Sequence, residues 1–292
     1  MSGSYDIRFI VLLRDFKIYF ENELIEVHSI EEIRHFFYLL IEVRLFENRF
    51  LLAINPDAVL KAADQLYFEK VCSELKVSRP IQYILGQAYF GDLKLKVAEG
   101  VLIPRPETME LVQWVLDFAN SRDHKMSLLD IGTGSGCIAL SLSLALPNAA
   151  VSAMDISEKA LSIAKENTTT YKQQIAFEQA DVLKLDHLEA PYDLIVSNPP
   201  YVRMLEKTEM APMVLNYEPE QALFVTDENP LVFYEKIAHL ALKALKEGGA
   251  LFFEVNEYLA EETRQMLLET GFEKVHIKND IFGKQRMIKA LL

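Results

Sequence analysis

Asp130-Ile131-Gly132-Thr133-Gly134-Ser135-Gly136 closes a short apolar run that begins at Ser127 and passes directly into an Ala/Leu-rich segment from Cys137. A β-favouring run, a glycine-rich turn and a helical pattern in that order form the repeating unit of an open α/β sheet. Glycines let the backbone approach a ligand closely, and the free N–H groups of a helix start favour an anionic group. The loop is not a dinucleotide fingerprint, because G-x-G-x-x-G counted from Gly132 needs glycine where Cys137 stands.

From Ser127 onward, apolar runs alternate with helical stretches. Strands are expected near 127–131, 150–154, 175–179, 194–197, 250–254, 274–277 and 286–291, in a parallel sheet with helices on both faces. Asp155 closes the second strand, 19 residues after Gly136, where a carboxylate commonly accepts from ribose hydroxyls. Asp181-Val182-Leu183 follows the third, an acceptor with apolar neighbours that could frame an adenine ring. A single acid at a strand end is as often a helix cap. Four such features at the ends of four successive strands converge where ligands of open α/β sheets bind.

The fourth feature is Ser197-Asn198-Pro199-Pro200-Tyr201, which ends the apolar run Tyr192 to Val196. Two prolines stop the strand and stiffen the turn, since each fixes φ and lacks an N–H. The Asn198 side-chain oxygen and the Pro199 carbonyl are then two acceptors beside an aromatic ring, Tyr201. A planar NH2 group suits them, one N–H to each acceptor. Glu254, at the end of the fifth expected strand, faces the same way, but structural hydrogen bonding is its simpler reading.

Upstream of the sheet the pattern is helical from Ile10 to Leu85. Ile33, Phe36, Phe37 and Leu40, then Leu60, Ala63, Leu66 and Tyr67, recur at three- and four-residue spacings. The aromatic stripe Phe36, Phe37, Tyr38, Phe46 and Phe50 reads as core. Between Arg79 and Glu107, alternating Leu93, Leu95 and Val97 followed by Val101 to Ile103 predict a hairpin with Glu99-Gly100 near its turn. Pro104-Arg105-Pro106-Glu107-Thr108 then opens a helix.

The chain has 292 residues, half of them hydrophobic, and a formal net charge of -13, a poor balance for wrapping a polyanion. Its two cysteines, Cys72 and Cys137, form no disulfide framework, which fits a reducing cytoplasm. The apolar run from Phe9 to Leu13 is closed by Arg14 and Asp15, too short to span a membrane. Residues Met1 to Ser4 carry no signal either way. His28, His35, His124, His187, His239 and His276 show no metal-ligand spacing, so no metal is expected.

Taken together these motifs resemble the class I methyltransferases that modify an amide or amino nitrogen, and among them the release factor glutamine methyltransferases. Asp-x-Gly-x-Gly-x-Gly is similar to the loop that cradles the methionine moiety of S-adenosylmethionine. Arg79 to Gly86, Phe90-Gly91, Leu102 to Thr108, Asn216-Tyr217-Glu218-Pro219 and Asp280 to Arg286 resemble further family stretches. Phe224 to Asp227, where relatives often carry glycine, and Met109, where an acid is usual, depart from the pattern. The resemblance implies a Rossmann-like seven-stranded α/β methyltransferase domain over 106–292, a hairpin linker over 87–105 and a helical substrate-docking domain over 1–86.

It also implies a cytoplasmic enzyme that methylates the N5 side-chain nitrogen of glutamine in the Gly-Gly-Gln loop of class I peptide chain release factors, leaving S-adenosylhomocysteine. Neither membrane nor direct nucleic-acid binding is expected. Residues acting on the substrate would be Asn198, Pro199, Pro200 and Tyr201, with Phe90, Arg105 and Glu107 beside them. The cofactor would meet Asp130, Gly132, Thr133, Gly134, Ser135, Gly136, Asp155, Asp181, Val182, Leu183 and Asn198. Phe90 or Tyr201 would lay a ring against cofactor or substrate, where a cation–π contact contributes about 0.5–2 kcal/mol. The alternatives are an adenine N6-methyltransferase, whose exocyclic amine would meet the same two acceptors, and a cofactor-binding protein without turnover.

Overall fold

The computed structural model describes residues 11–122, 125–189 and 191–292. Met1 to Ser4, the Phe9–Ile10 start of the apolar run and His124 lie outside the described residues. The chain divides into two compact units, Met1–Leu85 and Gly86–Leu292.

In the first unit β1 (Val11–Leu12) leads into α1 (Leu13–Leu24), α2 (Ile30–Leu40) and a short α3 (Leu51–Ile54). Then β2 (Val59–Leu60), antiparallel to β1, precedes α4 (Ala62–Lys76) and α5 (Ile81–Leu85). Ser29 starts α2 through a reciprocal pair: its hydroxyl accepts from the Glu32 amide and the Glu32 carboxylate accepts from the Ser29 amide. Three helices meet on buried rings, with Phe20–Phe37 at 5.6 Å, Phe37–Phe68 at 6.0 Å and Phe16–Phe68 at 5.8 Å between centroids. Phe36 and Phe37 are core as expected, whereas Phe46 is 88% and Phe50 61% exposed. The stripe breaks because α2 runs into a π turn over Ile41–Leu45 and Phe46 takes a left-handed φ of 57°. Leu66 is likewise exposed.

The second unit opens with the hairpin β3 (Gln87–Phe90) and β4 (Leu93–Lys96), then α6 (Pro106–Ala119), β5 (Ser127–Ile131), α7 (Cys137–Ala145), β6 (Ala150–Asp155), α8 (Glu158–Thr170) and β7 (Ala176–Gln179). It continues through β8 (Tyr192–Ser197), β9 (Val202–Arg203), α9 (Pro212–Tyr217), β10 (Phe224–Val225), α10 (Val232–Ala244), β11 (Leu245–Glu254), α11 (Ala260–Thr270), β12 (Lys274–Asn279) and β13 (Gln285–Leu291). The hairpin turns at Gly91-Asp92, not at Glu99-Gly100, and Val101 to Ile103 form no strand. Nor does it stand apart as a linker. Phe90 and Leu95 enter the core, and the Lys94 and Lys96 amides donate to Tyr171 Oη and Asn167 Oδ1, each at 2.7 Å. A Cβ on Gly91 would lie 2.7 Å from Met109 Cε, so the methionine that departs from the family pattern packs over the turn.

The sheet order is β12-β13-β11-β8-β5-β6-β7. It is mixed rather than fully parallel: β13 runs antiparallel to both β11 and β12. The residues between β12 and β13 are too few for a parallel crossover, which needs a dozen or more. Neighbouring residues of one strand serve opposite faces. Leu128, Leu194, Val196 and Phe252 pack with α6 and α7, and Leu129, Ile195, Leu251 and Phe253 with α10 and α11. Each such fully buried side chain contributes about 1.5–3 kcal/mol.

All six residues of β8 are buried. Ser197, its last residue, is level with Ile131 of β5 and Phe253 of β11. Asn198, the glycine loop and Glu254 therefore leave the sheet side by side. Between β5 and β8 the strand order reverses direction, which opens a crevice at their carboxyl ends.

Gly136 starts α7 with φ +82°, and a Cβ there would lie 3.0 Å from Ala164 Cβ of α8. Gly136→Ala should therefore lower unfolding stability by about 1–3 kcal/mol through the left-handed backbone alone, measured by urea denaturation. An unchanged midpoint would refute that account of the backbone.

Candidate active site

A cavity of about 270 Å³ occupies the crevice. Gly132 to Ser135 form one wall, Asp155 and Asp181 to Leu183 another, and Asn198 to Pro200 a third. Pro104, Arg105 and Thr108 enter from the start of α6, and Phe233 and Ile237 from α10.

The glycine loop is held mostly by the end of β6. The amides of Gly132 and Thr133 both donate to the Met154 carbonyl, at 2.9 and 3.0 Å, and that of Gly136 donates to Thr133 O at 2.8 Å. The Gly134 amide donates to Asp155 Oδ2 at 2.8 Å. These four N–H groups thus have partners within the protein. What the loop offers is shape. A Cβ on Gly134 would meet nothing within 4 Å, and one on Gly132 would lie 3.9 Å from the Asn198 carbonyl. The space beside the loop exists because neither residue carries a side chain.

Asp130 lies beneath the loop rather than on the cavity wall. Its Oδ2 accepts from Thr133 Oγ1 at 2.7 Å and from the Ala139 amide at 3.2 Å, while buried Oδ1 has no partner among the described residues. Burial pushes its carboxyl up to about 7, against the pull of those two donors. Burial likewise pushes the Cys137 thiol up to about 12, which rules it out as a thiolate nucleophile near neutral pH.

Asp155 accepts from the Ser157 amide at 2.9 Å through Oδ1, so both its oxygens are aimed by backbone donors. Burial raises its carboxyl above the usual range, partly offset by those bonds. Asp181 is lowered instead, first by the hydrogen bond from Lys184, whose ammonium lies 2.9 Å away. It also caps its own turn by accepting from the Leu183 amide.

The Pro-Pro turn is anchored at both ends. Ser197 Oγ donates to the Ile131 carbonyl at 2.6 Å, and the amides of Tyr201 and Val202 both donate to the Leu223 carbonyl. That second anchor lies beside the parallel pair β9–β10, the use found for the Phe224–Val225 departure. Asn198 Nδ2 donates to Thr108 Oγ1 at 3.2 Å, and Thr108 Oγ1 donates to Glu254 Oε2 at 2.6 Å. Tyr201 Oη donates to Glu254 Oε1 at 3.0 Å. Among the described residues, neither Asn198 Oδ1 nor the Pro199 carbonyl accepts a hydrogen bond.

Five expected site residues are off the cavity wall: Asp130, as above, Gly136, whose amide turns back to the Thr133 carbonyl at the start of α7, and three more. The Tyr201 hydroxyl points to Glu254, so its ring backs the turn instead of lining the cavity. Phe90, 2% exposed, is core, drawn in by the hairpin. Glu107 is off the cavity wall, whereas Arg105 is on it and pairs with Glu218 at 2.5 Å. The other Glu218 oxygen accepts from the Ile103 amide at 3.2 Å, which joins two of the quoted stretches. Sequence reading gave no role to Thr108 or Glu218. Its reading of Glu254 as a structural hydrogen-bonding group agrees with the two bonds that this 1% exposed carboxylate accepts. Burial raises the Glu254 carboxyl, opposed by its bonds from Thr108 and Tyr201.

The donor set suits a sulfonium nucleoside: carboxylates for ribose hydroxyls and an exocyclic amine, apolar Val182 and Leu183, and a cleft that any side chain at Gly132 would begin to fill. A family model described as the methyltransferase small domain matches residues 113–226. The fold is shared with the Thermus thermophilus 16S rRNA N2 G1207 methyltransferase solved with AdoMet and guanosine, at a TM-score of 0.51 and 17% identity over 70% of this chain and 49% of that one. The fold and site are those of a class I, S-adenosylmethionine-dependent methyltransferase.

Full-length relatives narrow the class. The chain is 44% identical over 282 residues to the release factor glutamine methyltransferase of Flavobacterium psychrophilum, covering 96% of this chain and 99% of that one. With the Bacteroides thetaiotaomicron enzyme of the same name it shares 42% over 273 residues, covering 93% and 97%. It belongs to the release factor glutamine methyltransferase family.

Asp155→Ala removes both an acceptor on the cavity wall and the partner of the Gly134 amide. Cofactor affinity should fall by roughly 10-fold or more, a loss of 1.4 kcal/mol or above, and unchanged affinity by calorimetry would contradict this role. Asp130 carries a pH signature. Its folded pKa, about 7, lies above the unfolded value, so its contribution to stability is complete below pH ~4 and lost as pH rises through about 7. Relative to Asp130→Asn, the native chain should therefore lose on the order of 2–4 kcal/mol between those limits. Urea unfolding of both proteins at pH 5 and pH 8 measures the difference, and parallel pH profiles would refute it.

Proposed function

We propose that this chain transfers the methyl group of S-adenosyl-L-methionine to the N5 side-chain nitrogen of the glutamine in the Gly-Gly-Gln loop of class I peptide chain release factors, in the cytoplasm. The observation that carries the reading is the pair of unpartnered acceptors, Asn198 Oδ1 and the Pro199 carbonyl, on the wall of the cofactor cavity. A primary amide has two N–H bonds and can give one to each.

An amide nitrogen is a poor nucleophile because its lone pair is delocalised into the carbonyl. Two acceptors on its N–H bonds fix the amide plane and favour partial pyramidalisation, leaving the lone pair free to attack. The cofactor supplies a methyl group made electrophilic by positive sulfur. Alignment by a stiff, doubly anchored turn can contribute roughly 7–11 kcal/mol in favourable cases. Acceptors that tighten as positive charge grows on nitrogen stabilise the transition state further. No strong base is needed, since the methylated nitrogen is acidic and its proton leaves to water.

The helical unit, residues 1–86, is the proposed docking element for the release factor. Exposed Phe46, Phe50 and Ile54 within a short stretch support this, as clustered apolar side chains at a surface mark protein–protein contact sites. The formal charge of -13 argues against nucleic acid as the substrate. Among the described residues no helix is long and apolar enough to cross a membrane.

Incubation with methyl-labelled cofactor and either release factor or nucleic acid tests the assignment. Label should enter the glutamine of the release factor, and label confined to nucleic acid would overturn it. Asn198→Ala should keep its far-UV spectrum and lose 10²-fold or more in kcat, about what loss of one preorganised polar partner costs.

A further inference from the structure

The functional reading needs the Asn198 amide in one orientation, oxygen toward the substrate. The amide is nearly symmetric in shape, so packing alone does not choose between its two ends. We propose that Thr108 and Glu254 make the choice, as positioning residues that act through a one-way chain of hydrogen bonds.

A carboxylate only accepts. In its ionised form Glu254 therefore takes the single hydroxyl proton of Thr108, at 2.6 Å, on Oε2 and that of Tyr201, at 3.0 Å, on Oε1. With its proton committed, Thr108 Oγ1 can only accept from the next group. That group is Asn198, 3.2 Å away, which must turn its NH2 end inward. Oδ1 then faces the cavity with no other partner. The reversed amide would set two oxygens against each other with no proton between them, and would offer N–H groups to a substrate that itself brings N–H groups. An unmet pair of this kind shifts the balance about 10- to 100-fold. The chain joins helix α6, strand β11 and the turn after β8, across 146 and 90 residues of sequence.

Replacing the carboxylate by an amide reverses the logic. In Glu254→Gln the side chain can donate to Thr108 Oγ1, which frees the threonine proton for Asn198 Oδ1 and turns the asparagine round. Thr108→Val removes the relay while keeping the shape.

The proposal rests on Asn198 Oδ1 being the acceptor for the substrate amide, so all variants are assayed beside Asn198→Ala, with release factor and S-adenosylmethionine both varied. Glu254→Gln and Thr108→Val should each lower kcat about 10- to 100-fold. KM for the cofactor and affinity for S-adenosylhomocysteine should stay within about twofold, and Thr108→Ser should restore most of the rate. The double variant should be no slower than Glu254→Gln alone, because the threonine hydroxyl is what holds the amide wrongly in that background. Thermal melts identify any variant that is merely unfolded, and Thr108→Val against Thr108→Ser then decides. If Thr108→Val keeps its kcat while Asn198→Ala is inactive, the relay is wrong and the function stands. If Asn198→Ala keeps its kcat, the acceptor role of Asn198 falls and the relay with it.

Discussion

A charge buried at the end of a central strand persists only where hydrogen bonds come to it. Glu254, at the end of β11, is a carboxyl buried in this way, and the elements around it supply such bonds. Helix α6 presents Thr108 in its first turn, and the segment after the Pro-Pro turn folds back to bring the Tyr201 hydroxyl to the second oxygen. Tyr234 on α10 donates to the Glu254 carbonyl. The carboxylate thus fixes two separate pieces of chain around the mouth of the crevice, and the main-chain carbonyl of the same residue fixes a third. The two acceptors proposed to meet the substrate lie in the turn that leads into one of those pieces.

The cofactor side is built in the same manner. Asp155 holds Gly134 while facing the cavity, and Asp130 holds Thr133 and Ala139 from below. The amides of Gly132, Thr133, Gly134 and Gly136 are already paired within the protein. Ligand binding then meets a shaped surface and incurs little further ordering.

Much of this was legible in the sequence because it is periodic or local. Seven strands followed from apolar runs, and Gly132 to Ser135, Asp155, Asp181 and Asn198-Pro199-Pro200 line one cavity at the strand ends. What escaped was the identity of distant partners. Thr108 meets Glu254 across 146 residues and Arg105 meets Glu218 across 113, and no local pattern encodes such a pairing. The ring of Tyr201 was expected beside the substrate because the motif shows an aromatic there. Its hydroxyl decides otherwise, since a buried carboxylate one strand away is the stronger partner. The periodicity of α2 likewise gave no sign of the π turn that sends Phe46 to the surface.

The antiparallel β13 enters between β11 and β12, so the strand that carries Glu254 is interior only because residues 285–291 have joined it. Until they do, β11 is an open edge with unpaired backbone groups, a template for association with other chains. The sheet cannot assemble simply in the order its strands occur in sequence. Its completion waits on a non-local step, and contacts of that kind close slowly. The same step both seals the sheet against self-association and makes the strand that carries Glu254 interior.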